Sequence, residues 1–294
     1  MPASSWSRRS FLVGGTSAAF VAACTSGGKA AAPTTTTSPN PAFTLISFSD
    51  DSVFAVGSPA RVAFGLTDQD GVLVPQAPVP SLELAVTLDG QPFGSPLTST
   101  AHASGLPRPY YPVEFTPTKA GVYEFRSNVS GTPVSKLVQV TGKQVLLPGA
   151  GQKMIPFDTP TTGDLRGVEL LCTRTPTCPL HDVTLREALA GGTPVAFLIS
   201  TPLYCQVAIC GPVLDVLLAA ASQFPQIKML HAEVYPSNAA AQPGVQQRTP
   251  VMEAYNLFFE PVLFLAQADG TIVKRVDTIF DAVELNDALT QLSG

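Results

Sequence analysis

Residues 194–212 read Pro194-Val195-Ala196-Phe197-Leu198-Ile199-Ser200-Thr201-Pro202-Leu203-Tyr204-Cys205-Gln206-Val207-Ala208-Ile209-Cys210-Gly211-Pro212. The run from Pro194 to Ile199 is apolar throughout and of strand length, as expected for a strand buried on both faces. A loop holding two cysteines follows, and Pro212 predicts the first turn of a helix that runs to Phe224. At such a turn, unpaired backbone N–H groups and the positive end of the helix dipole stabilise a thiolate. Five helical steps leave two side chains about 140° apart. A bond between Cys205 and Cys210 therefore requires Cys205 to lie in the loop before the helix.

The flanking sequence predicts an α/β layer. Thr184-Leu185-Arg186-Glu187 has the form of a capping box opening a short helix that stops at Gly191-Gly192. After the cysteine helix come a strand over 227–235, a brief helix over 250–256 and two strands, 262–266 and 271–276, joined at Ala268-Asp269-Gly270. An amphipathic helix over 281–292 closes the chain. The predicted order is strand, helix, strand, helix, hairpin, helix.

This layout resembles the thioredoxin superfamily over roughly residues 160–294. Three features carry the likeness: the buried strand before the cysteines, Cys210-Gly211-Pro212 at the helix start, and Glu260-Pro261-Val262-Leu263-Phe264-Leu265. The last is similar to the family's cis-proline and its following strand, which implies that Pro261 helps to hold a substrate chain. The family spacing has two residues between the cysteines, whereas four lie between Cys205 and Cys210. Two registers are open: Cys205 takes the attacking position in a longer loop, or Cys210 attacks and Cys205 resolves from upstream. The resemblance implies protein thiols and disulfides as substrates and no cofactor. Ala196 falls near the position where thioredoxins keep a buried carboxylate.

Cys172 and Cys178 form a second close pair, in a Pro/Thr loop without a helix start, and a structural disulfide is expected there. Copper-delivering relatives of the superfamily add a late histidine, but none follows Pro261. His181 and His231 are expected in the core or at the surface, and no metal is expected.

Residues 42–142 differ in texture. Short runs with period-two alternation, such as Leu82-Glu83-Leu84-Ala85-Val86-Thr87-Leu88, are punctuated by Asp70-Gly71 and Asp89-Gly90. They predict an antiparallel β-sandwich, immunoglobulin-like in pattern only, because this half has neither cysteine nor tryptophan. The fold expected is thus two domains: an all-β sandwich over 42–142 and a thioredoxin-like α/β domain over 143–294, entered by a hinge at 142–151. His102 is expected as a solvated loop histidine.

The N-terminus predicts export. Arg8 and Arg9 precede a weakly apolar run, residues 11–23, too short and polar to span a bilayer, and they resemble a twin-arginine signal over residues 1–23. Val21-Ala22-Ala23-Cys24 resembles a lipobox, which implies lipidation at Cys24. Residues 24–41 have a tether's composition of Ser, Thr, Gly, Ala, Pro and Lys. The location expected is the outer face of the cytoplasmic membrane. A net charge of −5 with no later basic run argues against nucleic-acid binding. Two functions remain open: a membrane-tethered thiol–disulfide oxidoreductase, or a non-catalytic surface binding module stapled by disulfides.

Overall fold

A computed structural model of the protein describes residues 42–293. The arginine pair Arg8–Arg9, Cys24 and the tether to residue 41 lie outside the described residues. Among the described residues no helix is long and apolar enough to cross a membrane.

The first half is built from strands β1 (Thr44–Ser47), β2 (Ala60–Thr67), β3 (Ser81–Leu88), β4 (Gln91–Pro92), β5 (Leu97–Thr100), β6 (Tyr111–Phe115), β7 (Gly121–Val129) and β8 (Thr132–Val140). They form two antiparallel sheets, β1-β2-β6 and β4-β3-β7-β8, with β5 also paired to β3. The alternation in β3 does what its period demands: Leu82, Leu84 and Val86 are buried while Glu83 and Ala85 are exposed. Aromatic rings join the two sheets. Phe64 of β2 lies 5.1 Å from Phe125 of β7, and Phe115 of β6 lies 5.4 Å from Tyr123 and 5.2 Å from Phe125.

Strand β2 departs from simple alternation, because seven of its eight residues are buried. Its outer face is covered by the second half of the chain. Ala63 packs with Ile209 and Ile279, and Arg61 reaches Glu284 in a two-pronged ion pair, Nε–Oε1 2.6 Å and Nη2–Oε2 2.7 Å. Arg61 also donates to the backbone oxygens of Asp277 and Ile279. Tyr110 adds a hydrogen bond from its hydroxyl to Glu284 at 2.6 Å and accepts one from the Asp281 N–H. His102 is not a solvated loop residue: its Nδ1 lies 2.9 Å from Asp281 Oδ1, and this contact raises its pKa above the usual histidine value.

The second half contains α1 (Leu185–Ala190), β9 (Val195–Ile199), α2 (Cys210–Ala221), β10 (Lys228–Ala232), α3 (Pro250–Ala254), β11 (Val262–Ala266), β12 (Ile272–Asp277) and α4 (Ala282–Ser293). The element order expected from residue 184 onward is found. The sheet order is β10-β9-β11-β12, with β9 and β10 parallel and both other pairings antiparallel. Every residue of β9 and β11 is buried, as central strands covered on both faces must be. The Thr184 capping box is formed: its side chain accepts from Glu187 N–H, and Glu187 accepts from Thr184 N–H. The segment after the expected hinge runs along β12. Gly151 N–H donates to Ile272, Ile272 N–H to Gln152 and Met154 N–H to Gly270. Residues 143–184 hold no helix or strand, and they carry the second cysteine pair.

Candidate functional site

Helix α2 starts at Cys210, two residues earlier than its proline suggested, with Ile209 as N-cap and no side-chain cap. Pro212 fits the first turn because the N–H groups there have no intrahelical acceptor to lose. Cys205 therefore lies in the loop before the helix, where a bond to Cys210 requires it. The loop curls back at Ala208, whose φ of 55° is in the left-handed region. That curl turns backbone N–H groups of Val207, Ile209 and Cys210 toward the Cys205 sulfur, with Cys210 N at 3.4 Å from Sγ. Successive amides converging on one atom make an anion-stabilising nest.

The two sulfurs occupy different environments. Cys205 is half-buried and Cys210 fully buried. A hydrogen bond from the Cys210 thiol, reinforced by the loop amides, holds Cys205 down at a pKa of about 6. Burial, then the hydrogen bond its thiol donates to Cys205 and the Cys205 charge, push Cys210 well above the ordinary thiol range. This asymmetry favours the register left open by the sequence in which Cys205 attacks and Cys210 resolves. We expect alkylation of reduced Cys205 by iodoacetamide to rise with pH through a midpoint near 6 and level off above it. An ordinary thiol keeps gaining rate to about pH 8.5; peptide mass mapping separates Cys205 from the other cysteines.

The Glu260–Pro261 peptide is cis and leads into β11. Glu260 is a site residue that the sequence reading did not single out. Burial first, then the Cys205 charge, raises its carboxyl to a pKa of about 7, and its charge in turn acts on Cys210. Its signal was the carboxylate directly before the cis-proline. Its role depends on burial, which the sequence does not display. Leu203, Val207 and Phe258 remain exposed, Leu203 at 64%, and two of them flank Cys205. The first half of the chain also reaches the loop: Ile209 is buried in one cluster with Ala63 and Tyr110, and Phe48, Leu106 and Cys205 each pack against that cluster.

The structure shows Cys172 and Cys178, like Cys205 and Cys210, as free thiols. It brings the former pair together with His181 and His231, all four ligand-capable atoms lying within 4.8 Å of one another. The sequence spacing Cys172-x5-Cys178-x2-His181 was the available signal.

No protein-family model matches the chain, and no curated protein is similar to it in sequence. Parts of it are similar to solved structures. One is a protein of Chlorobium tepidum assigned as the thiol:disulfide interchange protein DsbE, at 13% identity and TM-score 0.36, covering 49% of this chain and 98% of that one. Another is a DsbH oxidoreductase, at 14% identity and TM-score 0.28, covering 52% and 95%. The Lin-41 filamin domain is similar at 16% identity and TM-score 0.24, covering 34% and 93%. At such low identities and scores, the chain's own geometry carries the functional reading.

Proposed function

We propose that the protein is a thiol–disulfide oxidoreductase in which Cys205 attacks and Cys210 resolves. The observation that carries this reading is the pairing of a half-exposed, amide-stabilised sulfur with a fully buried one at the start of α2. In the reducing direction, the Cys205 thiolate attacks one sulfur of a substrate disulfide. That S–S bond breaks, and the departing substrate thiolate takes up a proton. Cys210 then loses its proton to water and attacks the Cys205 sulfur, Glu260 acting on it only through its charge. The Cys205–Cys210 bond forms and the second substrate thiolate leaves, so the substrate is reduced by two electrons and the pair oxidised by two. A dithiol donor of lower potential must restore the pair. The reverse sequence oxidises a dithiol, and the potential of the pair relative to its partner sets the direction.

Leu203 and Val207, two residues either side of Cys205, and Phe258, three residues before Pro261, are exposed apolar side chains, and such groups near the cysteine suit a polypeptide substrate more than a small polar molecule. Protein thiols and disulfides are accordingly the proposed substrates, with Pro261 helping to hold the chain. The domain behind this chemistry is read as thioredoxin-like, and the first half as an immunoglobulin-like sandwich that backs the cysteine loop through Tyr110 and Ala63. The arginine pair Arg8–Arg9 and the lipobox ending at Cys24 support export by the twin-arginine route and anchoring on the outer face of the cytoplasmic membrane.

Trapping tests the assignment of roles. The Cys210→Ser variant, offered a disulfide-bonded peptide, is expected to hold one peptide equivalent on Cys205 as a stable mixed disulfide, read by intact mass. No adduct on Cys210→Ser, or an equal adduct on Cys205→Ser through Cys210, would contradict it.

A further inference from the structure

Apart from the Cys205 loop, the chain buries a second cluster of soft ligand atoms. His231 Nδ1 lies 3.6 Å from Cys172 Sγ, 3.5 Å from Cys178 Sγ and 3.3 Å from His181 Nε2, and Cys178 Sγ lies 3.2 Å from His181 Nε2. A tetrahedral zinc ion has bonds of about 2.3 Å to sulfur and about 2.0–2.1 Å to nitrogen. Those bond lengths set ligand-to-ligand edges of about 3.6 Å between sulfur and nitrogen and about 3.3 Å between nitrogens. Three of the four measured separations fall on these edges, and the fourth is a few tenths of an ångström short.

The surroundings point the lone pairs inward. His231 Nε2 sits 3.1 Å from the Ser200 carbonyl oxygen and 3.0 Å from Ser200 Oγ. A carbonyl only accepts, so Nε2 carries the proton and Nδ1, in the neutral ring, presents its lone pair to the cluster. An outer partner of this kind fixes the tautomer of a metal-bound histidine. The Leu180 N–H points at Cys178 Sγ, and His231 N–H donates to the Leu180 carbonyl, which pins the Cys178-to-His181 segment onto β10. His181, His231 and Cys178 are each 2% exposed or less. Without an ion, two buried imidazoles would face each other across 3.3 Å with two thiols alongside.

We propose that Cys172, Cys178, His181 and His231 form a tetrahedral Cys2His2 site for one zinc ion. Two thiolates and two imidazoles in this geometry select zinc over the harder divalent cations. The site is structural, since all four positions are taken by protein and none is left for water. It fastens an otherwise irregular segment to the sheet, and it does so beside the Cys205 loop. Thr173, next to Cys172, donates to buried Glu233 from its N–H and hydroxyl and accepts the Leu203 N–H. Arg174 is paired with Asp215 of α2 at 2.8 Å. The proposal is independent of the redox reading, because neither Cys205 nor Cys210 belongs to the site.

The test is metal content of the full chain, purified anaerobically, by elemental mass spectrometry, with cobalt substitution as an optical probe. We expect one zinc per chain in the wild type and in the Cys205→Ser/Cys210→Ser double variant. Cobalt should give the intense visible bands and thiolate charge transfer of a tetrahedral site. Cys172→Ser and His231→Asn should each fall to below about a tenth of an equivalent. Circular dichroism of Cys172→Ser, which alters the least buried ligand, checks that the fold persists. A Cys172–Cys178 disulfide in metal-free protein would overturn the proposal. So would zinc retained by Cys172→Ser, or lost from the Cys205→Ser/Cys210→Ser variant.

Discussion

Glu284→Ala is expected to lower the unfolding free energy by about 3–5 kcal/mol, the range found when one partner of a buried ion pair is removed. The Glu284 and Arg61 side chains are 11% and 8% exposed, so the guanidinium left behind keeps its charge in a poorly solvated position. Its two carbonyl contacts, to Asp277 and Ile279, satisfy donors but supply no counter-charge. Tyr110 loses its acceptor in the same change. For a chain of this size the loss corresponds to roughly 5–9 °C in melting temperature. Replacing both partners, as Arg61→Met with Glu284→Leu, is expected to restore most of it, because two apolar groups carry no desolvation cost. Thermal or urea unfolding of the two variants checks both expectations. Equal destabilisation by the single and double changes would show that the contact acts through shape rather than charge.

Cys205→Ser is expected to lose disulfide exchange down to the uncatalysed rate, a fall of at least about 100-fold, since a serine hydroxyl does not attack disulfides near neutral pH. Cys210→Ser differs in kind: it keeps the first step and loses turnover. The contrast follows from the hydrogen bond that the Cys210 thiol donates to Cys205 and from the amides of the 207–210 turn that reinforce it. With a pKa of about 6, Cys205 is about 90% thiolate at pH 7, against roughly 3% for an unperturbed thiol. Stopped-flow measurement of the first exchange step, alongside steady-state reduction of a disulfide peptide, separates the two variants.

Much of the α/β half was legible because its signals are local. The apolar run of β9, the capping box at Thr184 and the proline in the first turn of α2 each follow from a few adjacent residues. The alternation of β3 was equally plain. Burial of β2 on both faces was not, because the partner that covers Arg61 lies 223 residues away. The sequence left both cysteine registers open for a similar reason: spacing alone does not say which sulfur is buried, and burial depends on the left-handed turn at Ala208 and the packing of Ile209 with Tyr110. His231 is 59 residues from Cys172 and 50 from His181, so only the packing of β10 against the 172–181 segment brings the four side chains together. Glu260 stands beside a residue already singled out, but burial rather than position gives it a pKa of about 7.

Whether Cys205 and Cys210 carry thiol–disulfide exchange is read from the reduction potential of the pair, with the protein equilibrated in glutathione buffers and each cysteine assigned by thiol trapping and mass spectrometry. A redox-active pair opens between about −270 and −120 mV, the span of thioredoxin-like catalysts, and that is the result expected. A bond that resists reduction below about −300 mV, as structural disulfides do, or a pair that never forms one, would contradict it.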